Sequence, residues 1–378
     1  MAAAREALPS RHEARFYLDA ESARRLDASA APAHRVLLVG GYLGYSNFGD
    51  ILQLKGVLAW HRQHTGFQPV VVCATDAITD AGFEDRVRQW FGVDTLLFWS
   101  EQPGDFSSVG LAEISSGIQI DHLHIYGGGF FNRYWGATML RLLGDAAKQF
   151  GLPHVVVSGQ QVDVAFVDEL SKYLHEVQPV LVGCRDEGSV EMLCAREIAA
   201  TYSFDDATEP LARLAETFNI SGLTTKGLLL HMNVSDYTDR ELDAPSGAEG
   251  HIRSRWRSVE AELVLLDLYV SGLADAERQV TLLQGYTDRR VNDVVDSLGV
   301  VQRLESAFPF DQYKVVHLDH IALRFEFGEL GDQMNEVDST SDGAIAVSSS
   351  YHVALLCGMM GVPCWLRVGN EYYNQKRL

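Results

Sequence analysis

Short apolar runs alternate with longer helical patterns along the chain from Arg35 onward. The apolar runs predict strands at residues 36–40, 69–73, 95–98, 122–126, 153–157, 180–184, 227–231, 280–284, 313–318, 344–348 and 363–368. The intervening periodicity predicts helices at residues 51–64, 137–150, 164–175, 189–200, 252–273, 289–307 and 351–360. Alternating strands and helices form βαβ units, and strands this apolar fit parallel sheets that are covered on both faces.

A polar stretch near residues 206–225 interrupts this rhythm and predicts a boundary between two domains. The predicted fold class is α/β, with two Rossmann-like domains whose parallel sheets face a cleft, the architecture called GT-B in glycosyltransferases. The predicted divisions are an N-terminal arm at residues 1–34, a first domain at 35–205 and a second domain at 206–378. Ligands of open α/β sheets bind outside the carboxyl ends of the strands, so the residues that follow each strand are the candidates for chemistry.

Composition and charge exclude several classes of protein. The 378 residues carry 31 Lys and Arg against 51 Asp and Glu, a net charge of −20, which argues against nucleic acid and anionic membranes as partners. The five cysteines lack a CxxC pair and indicate buried thiols in a reducing compartment. The sequence holds no apolar run of roughly 18 residues and no signal-peptide stretch, so we expect a cytoplasmic protein without a transmembrane segment.

The first strand-to-helix junction, residues 40–50, reads GGYLGYSNFGD. Gly44 and Gly49 permit close backbone approach, and the helix that follows offers N–H groups to an anion. The spacing is not GxGxxG, which argues against NAD. Two interpretations remain open: Asn47 and Asp50 form a turn and a helix cap, or Asp50 acts in the cleft as a base or an orienting group.

Glycines and glutamines follow the next two predicted strands. Gly127, Gly128 and Gly129 indicate that something approaches this backbone closely, either a ligand or the adjacent sheet edge. Gln160 and Gln161 occupy the same kind of position after residues 153–157, where their amides either orient a ligand hydroxyl or close a loop.

Three cationic residues are candidates for binding an anion. Arg185 follows a strand at the start of a helix and is suited to a carboxylate or phosphate; the alternative is a salt bridge to Asp186 or Glu187. Arg367 and Lys376 belong to a terminal segment with three cations and one carboxylate, a candidate anion clamp.

Ser350 and His352 lie between a predicted strand and an apolar helix. The side chain of His titrates near neutrality, which makes His352 a candidate acid or base at a strand's carboxyl end.

His317, Asp319 and His320 also have metal-ligand chemistry. Along a strand that continues through residue 318, side chains alternate between faces, so His320 need not join the other two. Neither HExxH nor a CxxC pair accompanies them, and no metal site is predicted.

Taken in order, these motifs resemble the polysaccharide pyruvyl transferase family over approximately residues 35–378. The segments that carry the resemblance are residues 41–50, which look like G-Y-x-G-x-x-N-x-G-D, the glycines 127–129, S-G-Q-Q at 158–161, C-R-D-E-G-S at 184–189, and H-V-A-L at 352–355 followed by G-V-P at 361–363.

The resemblance implies a GT-B-like transferase that moves the enolpyruvyl group of phosphoenolpyruvate to a sugar of a glycan or glycolipid precursor, forming a pyruvate ketal. Phosphoenolpyruvate is then the donor substrate, and no further cofactor is implied. The first domain would lie on the acceptor side with Asp50, and the second on the donor side. By the same similarity, Arg185 holds the donor, Arg367 and Lys376 add positive charge, and His352 is the acid/base near the departing phosphate.

The chain departs from the family pattern two residues before His352, where many members carry Arg and this sequence has Ser350. Two other functions therefore remain open. One is a nucleotide-sugar-dependent glycosyltransferase of the GT-B type, and the other is a catalytically idle glycan-binding or scaffold protein. In the transferase readings the partners are a small-molecule donor and a sugar or glycolipid acceptor, with homo-oligomer formation also open.

Overall fold

A computed structural model describes residues 15–28, 34–102, 104–114, 118–151, 154–220, 227–233, 263–264, 266–267, 271–272, 280–286, 293–302, 313–326 and 344–367. The chain divides into two compact units. The first comprises Met1–Gly44 and Trp60–Ser203, and the second comprises Tyr45–Ala59 and Phe204–Leu378.

The described residues of the first unit form one sheet and its flanking helices. The strands are β1 (Arg15–Asp19), β2 (Arg35–Val39), β3 (Gln68–Ala74), β4 (Thr95–Ser100), β5 (Leu111–Glu113), β6 (His122–Ile125), β7 (Gly128–Phe131), β8 (His154–Val162), β9 (Leu181–Cys184) and β10 (Ala200–Tyr202). The helices up to β10 are α1 (Ala20–Ala28), α2 (Phe48–His64), α3 (Phe83–Phe91), α4 (Gly136–Phe150), α5 (Val167–Val177) and α6 (Glu187–Cys194).

The first sheet has the order β10-β9-β8-β6-β2-β3-β4-β1-β5, with β7 also paired to β8. The central strand β2 is buried along its whole length, as expected for a parallel strand that is covered on both faces. From β4 to β10 the order is that of a doubly wound nucleotide-binding fold, which places the first strand of the motif at the centre.

The N-terminal strand β1 lies between β4 and β5 and is antiparallel to both. Its Phe16 and Tyr17 are each 2% exposed, so the strand contributes apolar side chains to the interior of the first unit. The described part of the predicted N-terminal arm is thus a strand and a helix of the first unit.

The second unit contains a smaller, fully parallel sheet. Its described strands are β11 (Gly227–His231), β12 (Val280–Gln284), β13 (Tyr313–His317), β14 (Ala344–Ser348) and β15 (Cys364–Leu366), and its further described helices are α7 (Thr208–Ile220), α8 (Asp293–Val301), α9 (Leu318–Arg324) and α10 (Tyr351–Met359). The strand order β13-β12-β11-β14-β15 is again the Rossmann-like one. The fold class predicted from the sequence, α/β with two Rossmann-like domains, is confirmed; most of the helix predicted at 252–273 lies outside the described residues.

The first three turns of α2 belong to the second unit, although the sequence assigns them to the first domain. The backbone N–H of Phe48 donates to Gly285 O at 2.8 Å. Lys55 Nζ donates to Leu323 O at 2.9 Å and also to Phe325 O, which satisfies carbonyls at the end of α9. These bonds fix the start of α2 to the loop after β12 and to α9.

The helices in the described part of the chain include none that is both long enough and apolar enough to cross a bilayer.

A buried pair of histidines lies in the first unit. His61 Nε2 lies 2.9 Å from His124 Nδ1, and His124 Nε2 lies 2.8 Å from Ser158 Oγ. Burial lowers the pKa of His61 to about 4 and that of His124 to about 3, because the charged imidazolium loses its hydration. Both imidazoles are therefore neutral at pH 7.

Acid is expected to destabilise the protein through this pair between about pH 6.5 and pH 3. The folded-state pKa values lie below the unfolded value of about 6.5, so the unfolded chain binds more protons in this window. The contribution of the two neutral imidazoles to the free energy of unfolding is complete above about pH 6.5 and is lost as the pH falls. Urea midpoints at pH 7.5 and 5.0 should fall less for His124→Gln than for the wild type, while the exposed-site control His64→Gln should match the wild type. Equal pH dependence in all three proteins contradicts the assignment.

Candidate functional site

The first turn of α2 begins with an asparagine cap. Asn47 Oδ1 accepts the backbone N–H of Gly49 at 3.0 Å and that of Asp50 at 3.4 Å, and Asn47 O accepts from Ile51 N at 2.9 Å. With Phe48 N bound to Gly285 O, the N–H groups of residues 48–51 all have acceptors. The expectation that this helix start offers free N–H groups to an anion is therefore wrong, because the chain caps them itself.

One face of α2 carries Gly49, Gln53 and Gly56, at the i, i+4, i+7 spacing of a helical stripe. A Cβ on Gly49 would lie 2.0 Å from His352 Nδ1, and a Cβ on Gly56 would lie 2.1 Å from Asp206 O. Both positions exclude any side chain, so the two glycines let the imidazole and the backbone at Asp206 reach the helix surface.

Asp205 is the centre of a hydrogen-bonded cluster on this face. Its carboxylate accepts from Gln53 Nε2 at 3.0 and 3.3 Å and from the backbone N–H of Ala207 at 2.9 Å. His352 Nε2 lies 3.2 Å from Asp205 Oδ2. The Asp205 side chain is only 2% exposed and that of His352 11%, so these bonds replace water at a buried charge.

The hydrogen bond to Asp205 sets the chemistry of His352. A carboxylate only accepts, so in the neutral imidazole the proton resides on Nε2 and Nδ1 keeps its lone pair. Nδ1 is the atom that lies against Gly49. The arrangement is that of an imidazole oriented by a buried carboxylate, a geometry that suits proton transfer.

Ser350 caps the helix that carries His352. Its side chain accepts from Val353 N at the start of α10, and the residue has extended backbone angles, as N-caps do. Ser348, at the end of β14, accepts from Ser350 N at 2.9 Å and lies 3.3 Å from His231 Nδ1 at the end of β11. The carboxyl ends of the two central strands of the second sheet thus support the turn that presents His352.

Arg185 lies in the first unit, at the end of β9. Its guanidinium donates to Gln161 Oε1 at 2.5 Å, and its backbone N–H donates to Gln160 O at 2.9 Å. Asp186 caps α6 by accepting from Ser189 N and Ser189 Oγ, both at 2.8 Å. The amide of Gln161 therefore orients the buried arginine at a strand's carboxyl end.

The glycine run is part of the sheet. Gly128, with φ of +129°, begins β7 and pairs with Gln160 of β8. Gln160 Nε2 donates to Ser158 O at 2.9 Å, within the same strand. Gly128 therefore pairs with the neighbouring strand, and Gln160 and Gln161 lie within β8.

The remaining candidates lie at several places. Arg367 in the second unit is buried, and its backbone N–H donates to Ser348 O at 2.7 Å. Lys376 lies outside the described residues. Because Arg185 and Arg367 belong to different units, the anion clamp they would form with Lys376 stays a prediction.

Gly44 and Asp50 belong to the opening motif but not to the hydrogen bonds around Asp205 described above. Gly44 has φ of +102°, and a Cβ there would lie 2.7 Å from the Ala77 side chain, so its role in the first unit is close packing. Asp50 is partly buried in the first turn of α2, where a carboxylate is favourable to the helix dipole.

The structure places His320 beside His317, an arrangement that the sequence left open. Strand β13 ends at His317 and α9 begins at the next residue, so the side-chain period changes from two to 3.6. One ligating atom from each of His317, Asp319 and His320 then lies within 4.8 Å of the others.

No motif in the sequence identifies Gln53 or Asp205 as a member of this cluster. Asp205 lies three residues before the start of α7 in a polar stretch, and Gln53 lies inside a helix with no neighbouring motif. The exposed Phe204 has φ of +59°, a left-handed conformation that costs a bulky residue about 1–2 kcal/mol. This backbone reversal just before Asp205 is visible only in the structure.

Gly49→Ala is expected to displace the His352 ring from Asp205. The added methyl has to overlap Nδ1, and overpacking of this kind destabilises by about 1–3 kcal/mol despite the better helix propensity of Ala. Urea denaturation measures the loss. The matched control is Gly144→Ala in α4, where a Cβ meets nothing within 4 Å; it should be neutral or stabilise by up to about 1 kcal/mol. An unchanged or raised stability for Gly49→Ala contradicts the close approach.

Comparisons with known proteins match no protein-family model and no curated protein. Among solved structures, the chain is similar to a functionally uncharacterized protein from Klebsiella pneumoniae, with 10% identity, TM-score 0.30, and coverage of 75% of this chain and 93% of the other. It is also similar to UDP-GlcNAc 2-epimerase from Neisseria meningitidis bound to UDP-GlcNAc, with 12% identity, TM-score 0.40, and coverage of 90% and 84%. UDP-GlcNAc 2-epimerase from Methanocaldococcus jannaschii aligns with 10% identity, TM-score 0.34, and coverage of 88% and 82%. Likeness at this level carries no argument about chemistry.

Proposed function

We propose that the protein is a pyruvyl-transferase-like enzyme that transfers the enolpyruvyl group of phosphoenolpyruvate to a sugar of a glycan or glycolipid precursor. The observation that carries this proposal is the meeting of two distant sequence segments. The opening motif supplies Gly49, and the histidine segment supplies His352, whose ring lies against that glycine and is hydrogen-bonded to buried Asp205. These are the two segments on which the family resemblance depends most.

The reaction removes one proton from each of two sugar hydroxyls, delivers one of them to C3 and releases the other with phosphate. A sugar hydroxyl forms a C–O bond to C2 of the enolpyruvyl group while C3 gains a proton and becomes a methyl group. A second hydroxyl then forms another C–O bond at C2, the bond from C2 to the phosphate oxygen breaks, and the second proton leaves with inorganic phosphate. An imidazole that both accepts and returns a proton near neutral pH fits this sequence.

In this proposal, Asp205 and Gln53 position His352. The carboxylate holds the imidazole with Nδ1 unprotonated and fixes the orientation of the ring. Gln53 Nε2 donates to both oxygens of Asp205, which fixes the carboxylate plane against α2. Asp50, one turn before Gln53 on the same helix, is the proposed acceptor-side residue.

The donor carries a carboxylate and a phosphate, so its binding needs cations. Arg185, oriented by Gln161, is the proposed partner of these groups, with Arg367 and Lys376 adding charge. A cation about 4 Å from a bound anion contributes up to roughly 4 kcal/mol at an effective dielectric constant near 20, before desolvation. Surface acids beyond a Debye length of about 8 Å are screened, so the net charge of −20 does not oppose an anionic donor.

His352→Ala is expected to lower kcat for phosphate release from phosphoenolpyruvate by about 10²–10⁴-fold, the usual contribution of a general acid or base. The assay supplies phosphoenolpyruvate with nucleotide-linked and lipid-linked sugars and measures inorganic phosphate. Asp205→Asn should also reduce kcat, because an amide N–H can face Nε2 and favour the wrong tautomer. The matched control is His64→Ala, an exposed histidine at the end of α2. Wild-type turnover in His352→Ala removes the proposed role.

A thermal-shift panel separates the alternatives. A ligand at 100-fold its Kd adds about 2.7 kcal/mol to the free energy of unfolding. Stabilisation by phosphoenolpyruvate supports the proposal. Stabilisation by UDP or GDP alone supports a nucleotide-sugar glycosyltransferase instead, and stabilisation by neither, with no phosphate released, supports an idle glycan-binding protein.

A further inference from the structure

Two histidine side chains lie side by side at the junction of β13 and α9. His317 is the last residue of the strand, and His320 lies within the first turn of the helix. Their rings are stacked, with centroids 5.2 Å apart and planes inclined by 17°. Both residues are exposed, so their nitrogens are accessible to a solute.

The carboxylate between them is buried and oriented. Asp319 is 1% exposed, and its Oδ2 accepts from Gln284 Nε2 at 3.2 Å while Oδ1 accepts from the backbone N–H of His320 at 2.9 Å. Gln284 ends β12 and is aligned with His317 in the parallel pairing. An amide that orients a carboxylate from behind is the outer-shell arrangement typical of metal ligands.

The three side chains converge closely enough to share one ion. One ligating atom from each of His317, Asp319 and His320 lies within 4.8 Å of the other two. Zinc binds imidazole nitrogen and carboxylate oxygen at about 2.0–2.1 Å, which separates ligand atoms by about 3.4 Å in a tetrahedron. The difference is at most about 1.4 Å, and rotation of the two exposed imidazoles toward the fixed Asp319 closes it.

We propose that His317, Asp319 and His320 bind a divalent transition metal ion, for which Zn²⁺ is the test ion. Two imidazoles and one carboxylate are ligands that zinc, copper and nickel prefer, whereas calcium and magnesium take oxygen ligands almost entirely. Three protein ligands leave a position for water or a substrate oxygen, as in exchangeable zinc sites. The site lies at the carboxyl ends of β12 and β13, and it requires neither His352 nor the proposed donor.

The experiment titrates the chelator-treated full-length protein with Zn²⁺ in a calorimeter and, separately, with Co²⁺ followed by visible absorption. The wild type should bind one equivalent and give the intense bands of four- or five-coordinate Co²⁺. His317→Ala and His320→Ala should each weaken binding at least 10-fold and abolish those bands. His64→Ala, which removes an exposed histidine of the first unit, is the matched control and should bind as the wild type does.

Two further variants test the buried part of the site. Asp319→Asn keeps the side-chain volume and should abolish the Co²⁺ bands, and Gln284→Leu should weaken binding by about 10–100-fold through loss of the orienting amide. Circular dichroism confirms that each variant is folded. His317 and His320 are exposed, so their alanine variants are expected to fold. They therefore test metal binding even if Asp319→Asn or Gln284→Leu fails to fold. One equivalent retained with unchanged affinity in His317→Ala and His320→Ala overturns the proposal, as does the absence of wild-type binding.

Discussion

A buried carboxylate is the constraint around which the second unit is arranged. Asp205 is almost fully removed from water, and an unpaired charge in that position is costly. Its hydrogen-bond partners therefore come from three parts of the second unit. Gln53 lies in α2, the backbone N–H of Ala207 lies just before α7, and His352 lies in α10. Gly49 and Gly56 on α2 lack side chains, which lets the His352 ring and the backbone at Asp206 come close enough to the helix surface for these hydrogen bonds to form.

Burial also explains which elements could be predicted from the sequence. Parallel strands buried on both faces are continuously apolar, so β11, β12 and β14 are found at their predicted bounds. Short elements with mixed composition, such as β1 and α9, have no such signal. The partners of Asp205 lie 147 and 152 residues away in the sequence, and a single sequence carries no information about pairs at that separation.

Within the candidate site, residues that are unusual by type can be recognised in the sequence, whereas residues whose role depends on a distant partner cannot. Gly49 and His352 are predictable from the sequence, because a glycine at a helix start and a histidine after a strand are unusual in themselves. Gln53 is not predictable, because its importance depends on the residue that it contacts. The sequence also left open whether His320 joins His317, because the backbone changes from strand to helix at Leu318 and a periodicity pattern does not resolve a change within three residues.

The assignment of the first turns of α2 to the second unit has a consequence for biosynthesis. Gln53 and His352, which lie within 3.3 Å of one another, are separated by 299 residues. At translation rates of about 5–20 residues per second, the polar face of α2 waits on the order of 15–60 s for the imidazole to be made. The second unit can therefore complete its fold only after residue 352 has been synthesised, and until then the polar face of α2 lacks the imidazole that it contacts.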